Sequence, residues 1–209
     1  MSSVREIGIG DSIVHLLPVI KGLKSETKKV QDAFDRVNPD RVVISLSKEE
    51  LEGLRNIPDD FEPELSRYDE MYAEGLSKFG EVAAPPPCHV AAIELADHRG
   101  VPIVPVDLDE SSFTELYCAA VSGSALFRHS TRTWLLKRKH FKAENAEQFV
   151  LSWDRAVNNL EGFRTIEAKR SETIANGIRS EAKSAGSLLA IVELERAADV
   201  LKILEDGAR

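Results

Sequence analysis

Apolar residues gather in four short runs along this chain, and between them the pattern turns to a helical period. The runs are Ser12 to Leu17, Arg41 to Leu46, Ile103 to Val106 and Ser187 to Val192. Each is rich in Val, Ile and Leu and flanked by Gly, Pro, Asn or Asp, the pattern of a strand. Their near-continuous apolar character predicts strands covered on both faces, as in a parallel sheet. Pro18 predicts the end of the first strand, because proline brings no N–H to a ladder.

The stretches between the runs predict helices. From Gly22 to Val37, the residues Leu23, Val30, Phe34 and Val37 share roughly one face, and Asn38-Pro39-Asp40 ends the helix. Ser47 and Glu50 form a capping box that opens the next one. Pro58 and Pro63 break the following acidic stretch, which predicts a loop and then a helix from about Glu64 to Phe79. Ala83-Ala84-Pro85-Pro86-Pro87 predicts a stiff connector. It leads into a helix from Cys88 that stops at Gly100.

Downstream of Asp109 the pattern is almost wholly helical, with segments at about 111–120, 124–139, 143–158 and 164–185. Gly186 then introduces the last strand, and a helix over about 197–205 closes the chain. The expected fold is therefore α/β: a mostly parallel central sheet of about four or more strands with helices on both faces. A helical insertion at about 111–185 precedes the last strand, and residues 1–209 form one domain. Cys88 to Asp109 reads as half of a βαβ unit. It places Asp107 and Asp109 just past a strand's carboxyl end, where open α/β sheets bind ligands. Gly8 and Gly10 come before the first strand, not after it, so they predict an N-terminal turn instead of a phosphate loop.

Composition changes this picture in a few places. A chain of 209 residues buries an adequate core without staples, and Cys88 and Cys118 are expected as free thiols. No apolar run approaches the ~20 residues that span a bilayer, so a soluble, cytoplasmic protein is expected. Net charge of −8 disfavours general affinity for nucleic acid. Arg128 to Lys142 runs against that balance, with six Lys or Arg, two His and no acid in fifteen residues. Such a segment either holds phosphates or an anionic surface, or packs against the acids between Asp59 and Glu74 of this chain or a partner; the net charge favours packing.

Other polar groups have plain readings. His15 inside a strand and His89 at a helix start are expected as structural residues, not ligands. Ser122-Gly123-Ser124 lacks the strand–turn–helix setting of a nucleophile and predicts a helix cap. The acids from Asp59 to Glu74 have no calcium-loop spacing and predict a solvated face.

Three segments carry a family resemblance. Ala91-Ala92-Ile93-Glu94 through Gly100 to Asp107-Leu108-Asp109 is similar to AAIEEAKxxGAxxVxxDRD of the TraB/PrgY family, related to the Tiki and GumN proteins. Pro39 to Leu46 resembles its PDVVAVELD segment, and Glu167 to Ala175 its ERDxxMA helix. The resemblance implies a metal-dependent hydrolase built on two GxxH motifs and a glutamate. Here the first motif falls on Pro18-Val19-Ile20-Lys21 and the second on Glu193-Leu194-Glu195-Arg196, so both histidines become cations. The acid of VELD becomes Ser45, its aspartate Ser47, and the arginine of DRD Leu108. Glu94, Asp107, Asp109 and Arg170 keep the matching residue types. A protonated lysine or arginine has no lone pair for a metal.

The resemblance thus implies a non-catalytic TraB-like domain without metal or other cofactor. Its expected site comprises Lys21, Ser45, Asp107, Asp109, Arg170 and Arg196. These charges either close on one another as a salt-bridge cluster or bind a small anionic ligand; a protein partner is the other expected occupant, and a homodimer the expected assembly. Two alternatives stand beside this reading. One is a metal-dependent hydrolase with ligands moved to Asp107, Asp109, Glu193 or Glu195. The other is nucleic-acid or anionic-surface binding through Arg128 to Lys142.

Overall fold

A computed structural model of the chain describes residues 4–58, 61, 63–136 and 141–207. The N-terminal half comprises β1 (Arg5–Ile9), β2 (Ser12–Val19), α1 (Ser25–Val37), β3 (Arg41–Ile44), α2 (Lys48–Arg55), α3 (Arg67–Leu76), α4 (Pro87–Arg99) and β4 (Ile103–Pro105). The C-terminal half comprises α5 (Glu110–Ala120), α6 (Gly123–Leu136), α7 (Ala146–Val157), α8 (Glu161–Ala182), β5 (Ser187–Glu193) and α9 (Leu194–Asp206). The sheet order is β1-β2-β5-β3-β4, with β1 antiparallel to β2 and the other pairs parallel. The α/β fold, its mostly parallel sheet and the helical insertion before the last strand are as expected. Strand β5 enters the centre of the sheet.

Two expectations at the N-terminus need correction. Residues 5–9 are a strand, not a turn: Gly8 pairs with Ile13 inside the ladder, and Gly10, at φ 59°, makes the hairpin turn. Pro18 does not end β2; it pairs with Val192 and the strand continues to Val19. The Ile13 N–H donates to Gly186 on the β5 side. N–H groups alternate along a strand, so position 18 points to the opposite edge, beyond the Arg5–Leu16 pair of the β1 ladder.

Alternation along the central strands sorts the core into two layers. Leu17, Val19, Val42, Ile44, Leu189 and Ile191 pack under α1, α2 and α4, against residues such as Phe34, Leu51 and Ala92. Val14, Leu16, Val43, Leu188, Ala190 and Val192 face α8 and α9, against Ile174, Ile178, Val200 and Leu204. Burial on both faces is why these strands read as continuous apolar runs. Gly177 lets α8 lie close to the sheet, since a Cβ there would stand 2.6 Å from that of Val106. A third cluster lies beyond the strand ends, where Ile20, Leu23 and Leu194 meet Leu76, Phe149 and Trp153 from α3 and α7.

Local signals explain the helix ends. Ser47 Oγ accepts from the Glu50 N–H at 3.1 Å while Glu50 accepts from the Ser47 N–H at 2.7 Å, completing the expected capping box. Asn38 (φ 45°) and Gly100 (φ 64°) close α1 and α4 in the left-handed region. Ser122 Oγ accepts from the Ala125 N–H at the start of α6, a cap as expected. Cys88 and Cys118 are free thiols, buried and exposed respectively.

His89, on α4, is fully buried, and its Nε2 has no hydrogen-bond partner among the described residues. Burial, with the nearby positive charge of Lys21, pushes the imidazole down to about 3 from its ordinary 6.5. Below 6.5 the unfolded chain binds a proton that the folded protein refuses. His89 therefore removes stability as pH falls from 6.5 toward 3, by up to about 1.4 kcal/mol per pH unit. We expect His89→Leu to flatten this loss when urea unfolding is compared at pH 6.5 and 4.5. Equal losses in both proteins would assign the acid sensitivity elsewhere.

Candidate functional site

Four strand ends and the start of α8 converge on one place. Strand β5 runs into α9 without a loop, which puts Glu193 at the strand end and Glu195 and Arg196 in the first helical turn. Lys21 follows β2, Ser45 follows β3, and Asp107 follows β4 after Val106. Across them lies α8, with Glu167 and Arg170 spaced three apart and therefore on one face.

These charges close on one another. Lys21 Nζ stands 2.9 Å from Glu193 and 3.9 Å from Glu195. Arg196 pairs with Glu193, lies 2.8 Å from Glu167 and 3.9 Å from Glu195. Arg170 donates from Nε at 3.0 Å and from Nη2 at 2.5 Å to Asp107, with Glu167 at 3.7 Å. Burial opposes the charge on Arg170, yet the bonds and charge of Asp107 outweigh it and raise its pKa. Burial, then repulsion from Arg170, lowers that of Arg196. Three cations thus face the four carboxylates of Asp107, Glu167, Glu193 and Glu195. Every cation has a carboxylate partner, and of their nitrogens only the Arg196 Nε is left buried without a hydrogen-bond partner among the described residues.

Above this floor opens a cleft of about 1010 Å³. Its walls come from α3, the segment 77–86 and α7. Ser66 Oγ starts α3 by accepting from the Asp69 N–H at 3.2 Å. Gly75 allows α3 to lie against α7, since a Cβ there would fall 2.3 Å from Phe149 Cζ. Tyr68 and Tyr72, one turn apart, meet Trp153 with ring centroids 5.3 and 5.8 Å away. The Trp153 indole N–H donates to the Tyr68 hydroxyl at 2.7 Å, and the Tyr72 hydroxyl donates to the Lys21 carbonyl at 3.4 Å. Burial pushes Tyr68 up to about 12 and Tyr72 upward as well. Neither phenol ionises near neutral pH.

Two acids of the cleft are perturbed. Burial raises Glu195 despite Lys21, with Asp154 and Glu167 adding to the rise. Asp154 is raised by burial, against the Asn158 amide bonded at 2.8 Å, and by the charge of Glu167.

The expected site residues divide three ways. Lys21, Asp107, Arg170 and Arg196 come together in the floor. Ser45 lies fully buried beneath it, its hydroxyl accepting from the Glu193 N–H at 3.1 Å, so it positions the floor from below and contacts no cleft space. Asp109 requires a correction. It is exposed and caps α5, accepting from the Ser112 N–H at 2.7 Å, and these bonds hold its carboxyl below the ordinary range. The chain turns into a helix at Asp109, which carries that side chain away from the strand-end line. Glu167, Asp154, Tyr68, Tyr72 and Trp153 are site residues that the sequence reading did not select. The two tyrosines at i, i+4 were the available signal on α3.

A divalent metal does not fit this donor set. Among the described residues no group of three or more His, Cys, Asp or Glu is placed to hold one. Asp107 is taken by Arg170, Glu193 by Lys21 and Arg196, and Asp109 points elsewhere. His15 faces Glu6 at 3.5 Å on the β1–β2 ladder. Burial pushes the Cys88 thiol up to about 12, which leaves it a protonated core residue.

The basic segment 128–142 lies partly outside the described residues, as do its cations at 137–140 and the acids at 59, 60 and 62. Some of its described residues pack inward: His129 stacks on Phe163 of α8 at 4.1 Å, and Leu136 and Phe141 join the cluster around Phe149 and Trp153, while Arg128, Trp134 and Lys142 are exposed. The segment therefore helps to support the cleft wall.

No protein-family model matches this chain, and no curated protein matches its sequence. Its own residues carry the functional argument.

The network makes a direct prediction. Arg196→Ala leaves Glu167 without its guanidinium and the buried Glu193 with Lys21 alone, and breaking a buried pair from one side costs about 3–5 kcal/mol. Urea unfolding should show a lower midpoint with an unchanged slope. A loss below 1 kcal/mol would mean that water or Lys21 compensates and that the network is not mutually dependent.

Proposed function

We propose that this chain is a non-catalytic, TraB-like protein whose cleft above the strand ends binds a small molecule with an apolar body. One observation carries the reading: a cleft of about 1010 Å³ has aromatic walls and a floor whose cations are each paired with a carboxylate. The volume lies at the upper end for small-molecule sites, and apolar walls with a few fixed polar groups are their usual lining. Hydrolysis would require an activated nucleophile or donors free to hold a metal, and the floor's carboxylates Asp107 and Glu193 are engaged by Arg170, Lys21 and Arg196. Lys21 and Arg196 occupy the positions that match the family's histidines. Their fixed positive charge pairs with Glu193.

The same reading makes the protein a cytoplasmic pseudoenzyme. Among the described residues no helix is long and apolar enough to cross a membrane. Two unpaired thiols suit a reducing compartment.

The chain supplies its own reporter. It has two tryptophans, Trp134 exposed and Trp153 in the cleft wall, so Trp134→Phe leaves Trp153 as the sole emitter. We expect 2-phenylethanol to shift Trp153 emission saturably, and Ala73→Trp, which fills the cleft from α3, to abolish displacement of that probe's NMR signals. Melting temperature should not respond to chelator or to added zinc or manganese. A melting temperature raised by several degrees by either metal, with a peptide hydrolysed in its presence, would overturn the non-catalytic reading.

A further inference from the structure

The cleft's charge balance points to a class of ligand. Three cations reach its surface, and each is already paired. Against them stand the carboxylates of Asp69, Glu74, Glu81, Asp154, Glu167 and Glu195. Glu167 and Glu195 are engaged by the floor, and Glu81 by Lys24 from outside. Asp154 differs. Its carboxylate accepts a bond from the neutral Asn158 amide and forms no ion pair among the described residues, although it lines the cleft beside Trp153.

Resting on the cleft reading above, we infer that the site selects a cationic head group, an amine or a guanidinium, carried on an aromatic or apolar body. An entering anion would meet cations that are already ion-paired, with only the buried Arg196 Nε lacking a partner, and a surplus of carboxylates that repels it. An entering amine breaks nothing. It neutralises the surplus at Asp154, which has no ion pair among the described residues and whose carboxyl is held above its ordinary range by burial and by the charge of Glu167. The indole of Trp153 and the ring of Tyr68 lie in the same wall, and aromatic faces attract a desolvated cation. The remaining rings and Val150 accommodate the apolar body. Charge, desolvation and ring faces favour the same sign of ligand. This reverses the anionic ligand expected from the replaced histidines.

Three probes of one size but different charge test this in the Trp134→Phe protein: 2-phenylethylamine, 2-phenylethanol and phenylacetate, each titrated against Trp153 emission and melting temperature. The amine should bind at least about tenfold more tightly than the alcohol, and phenylacetate more weakly than either. Asp154→Asn keeps the side-chain shape, so it should bring the amine to within about twofold of the alcohol while leaving the alcohol unchanged. Tighter binding of phenylacetate than of the amine, or equal binding of all three, overturns the charge selection and keeps the cleft. Failure of every probe to perturb Trp153 removes the cleft reading itself. An amine preference that survives Asp154→Asn overturns the assignment to this carboxylate.

Discussion

Glu193 is the residue on which the arrangement depends. It is the last residue of the central strand and stands directly before the first residue of α9, so its side chain enters the space above the sheet with no loop to move it. A carboxylate this buried is stable only if it is compensated from several sides. Lys21 supplies one side, Arg196 the second, and the Ser45 hydroxyl ties down the backbone at the same residue. Arg196 in turn requires Glu167, and Glu167 shares its face of α8 with Arg170, which requires Asp107. Lys21, Asp107, the Glu167–Arg170 pair and the Glu193–Arg196 pair come from four separate parts of the chain. The network therefore holds β2, β4, β5, α8 and α9 in one register at the sheet's carboxyl edge.

Such a network differs from a metal site in one physical respect. A divalent ion gathers lone pairs around itself and leaves a coordination position for substrate, whereas lysine and arginine deliver positive charge through donors that point in fixed directions. Once those donors meet carboxylates, the floor ties its elements together. The cleft above it is then defined by its walls.

Much of the fold was legible because the central strands are covered on both faces, and both-face burial writes itself as an unbroken apolar run. The capping box at Ser47 and the left-handed ends at Asn38 and Gly100 were legible for local reasons. Strand β1 was not: it is an edge strand with a glycine inside and another at the turn, and its ladder depends on β2 more than on its own residues. Pro18 misled because its cost depends on which edge the missing N–H would have faced, which is a property of the neighbouring strands. Asp107 could be placed by counting from a strand end, and Lys21, Arg170 and Arg196 were selected through the resemblance. Asp109, two residues beyond Asp107, could not, because the chain begins a helix there. The aromatic wall was hidden for another reason. Tyr68, Tyr72 and Trp153 each read as the apolar stripe of an ordinary helix, and only the packing of α3 on α7, about eighty residues apart, turns the two stripes toward one space.

Floor and wall are built with different stiffness. Within α3 only Leu76 is buried, and the helix meets the rest of the protein through aromatic contacts, the close approach at Gly75 and the Tyr72 bond to the Lys21 carbonyl. The Trp153 indole N–H bond to the Tyr68 hydroxyl at 2.7 Å adds one firm tie, but an element with few buried apolar groups opens at a smaller fraction of the global unfolding free energy than the sheet does. The floor, by contrast, cannot rearrange without exposing several uncompensated charges together. A ligand entering this cleft therefore meets a fixed electrostatic field below and an adjustable apolar surface above. Charge is the property such a site discriminates most sharply, and the shape of the apolar body the property it tolerates most widely.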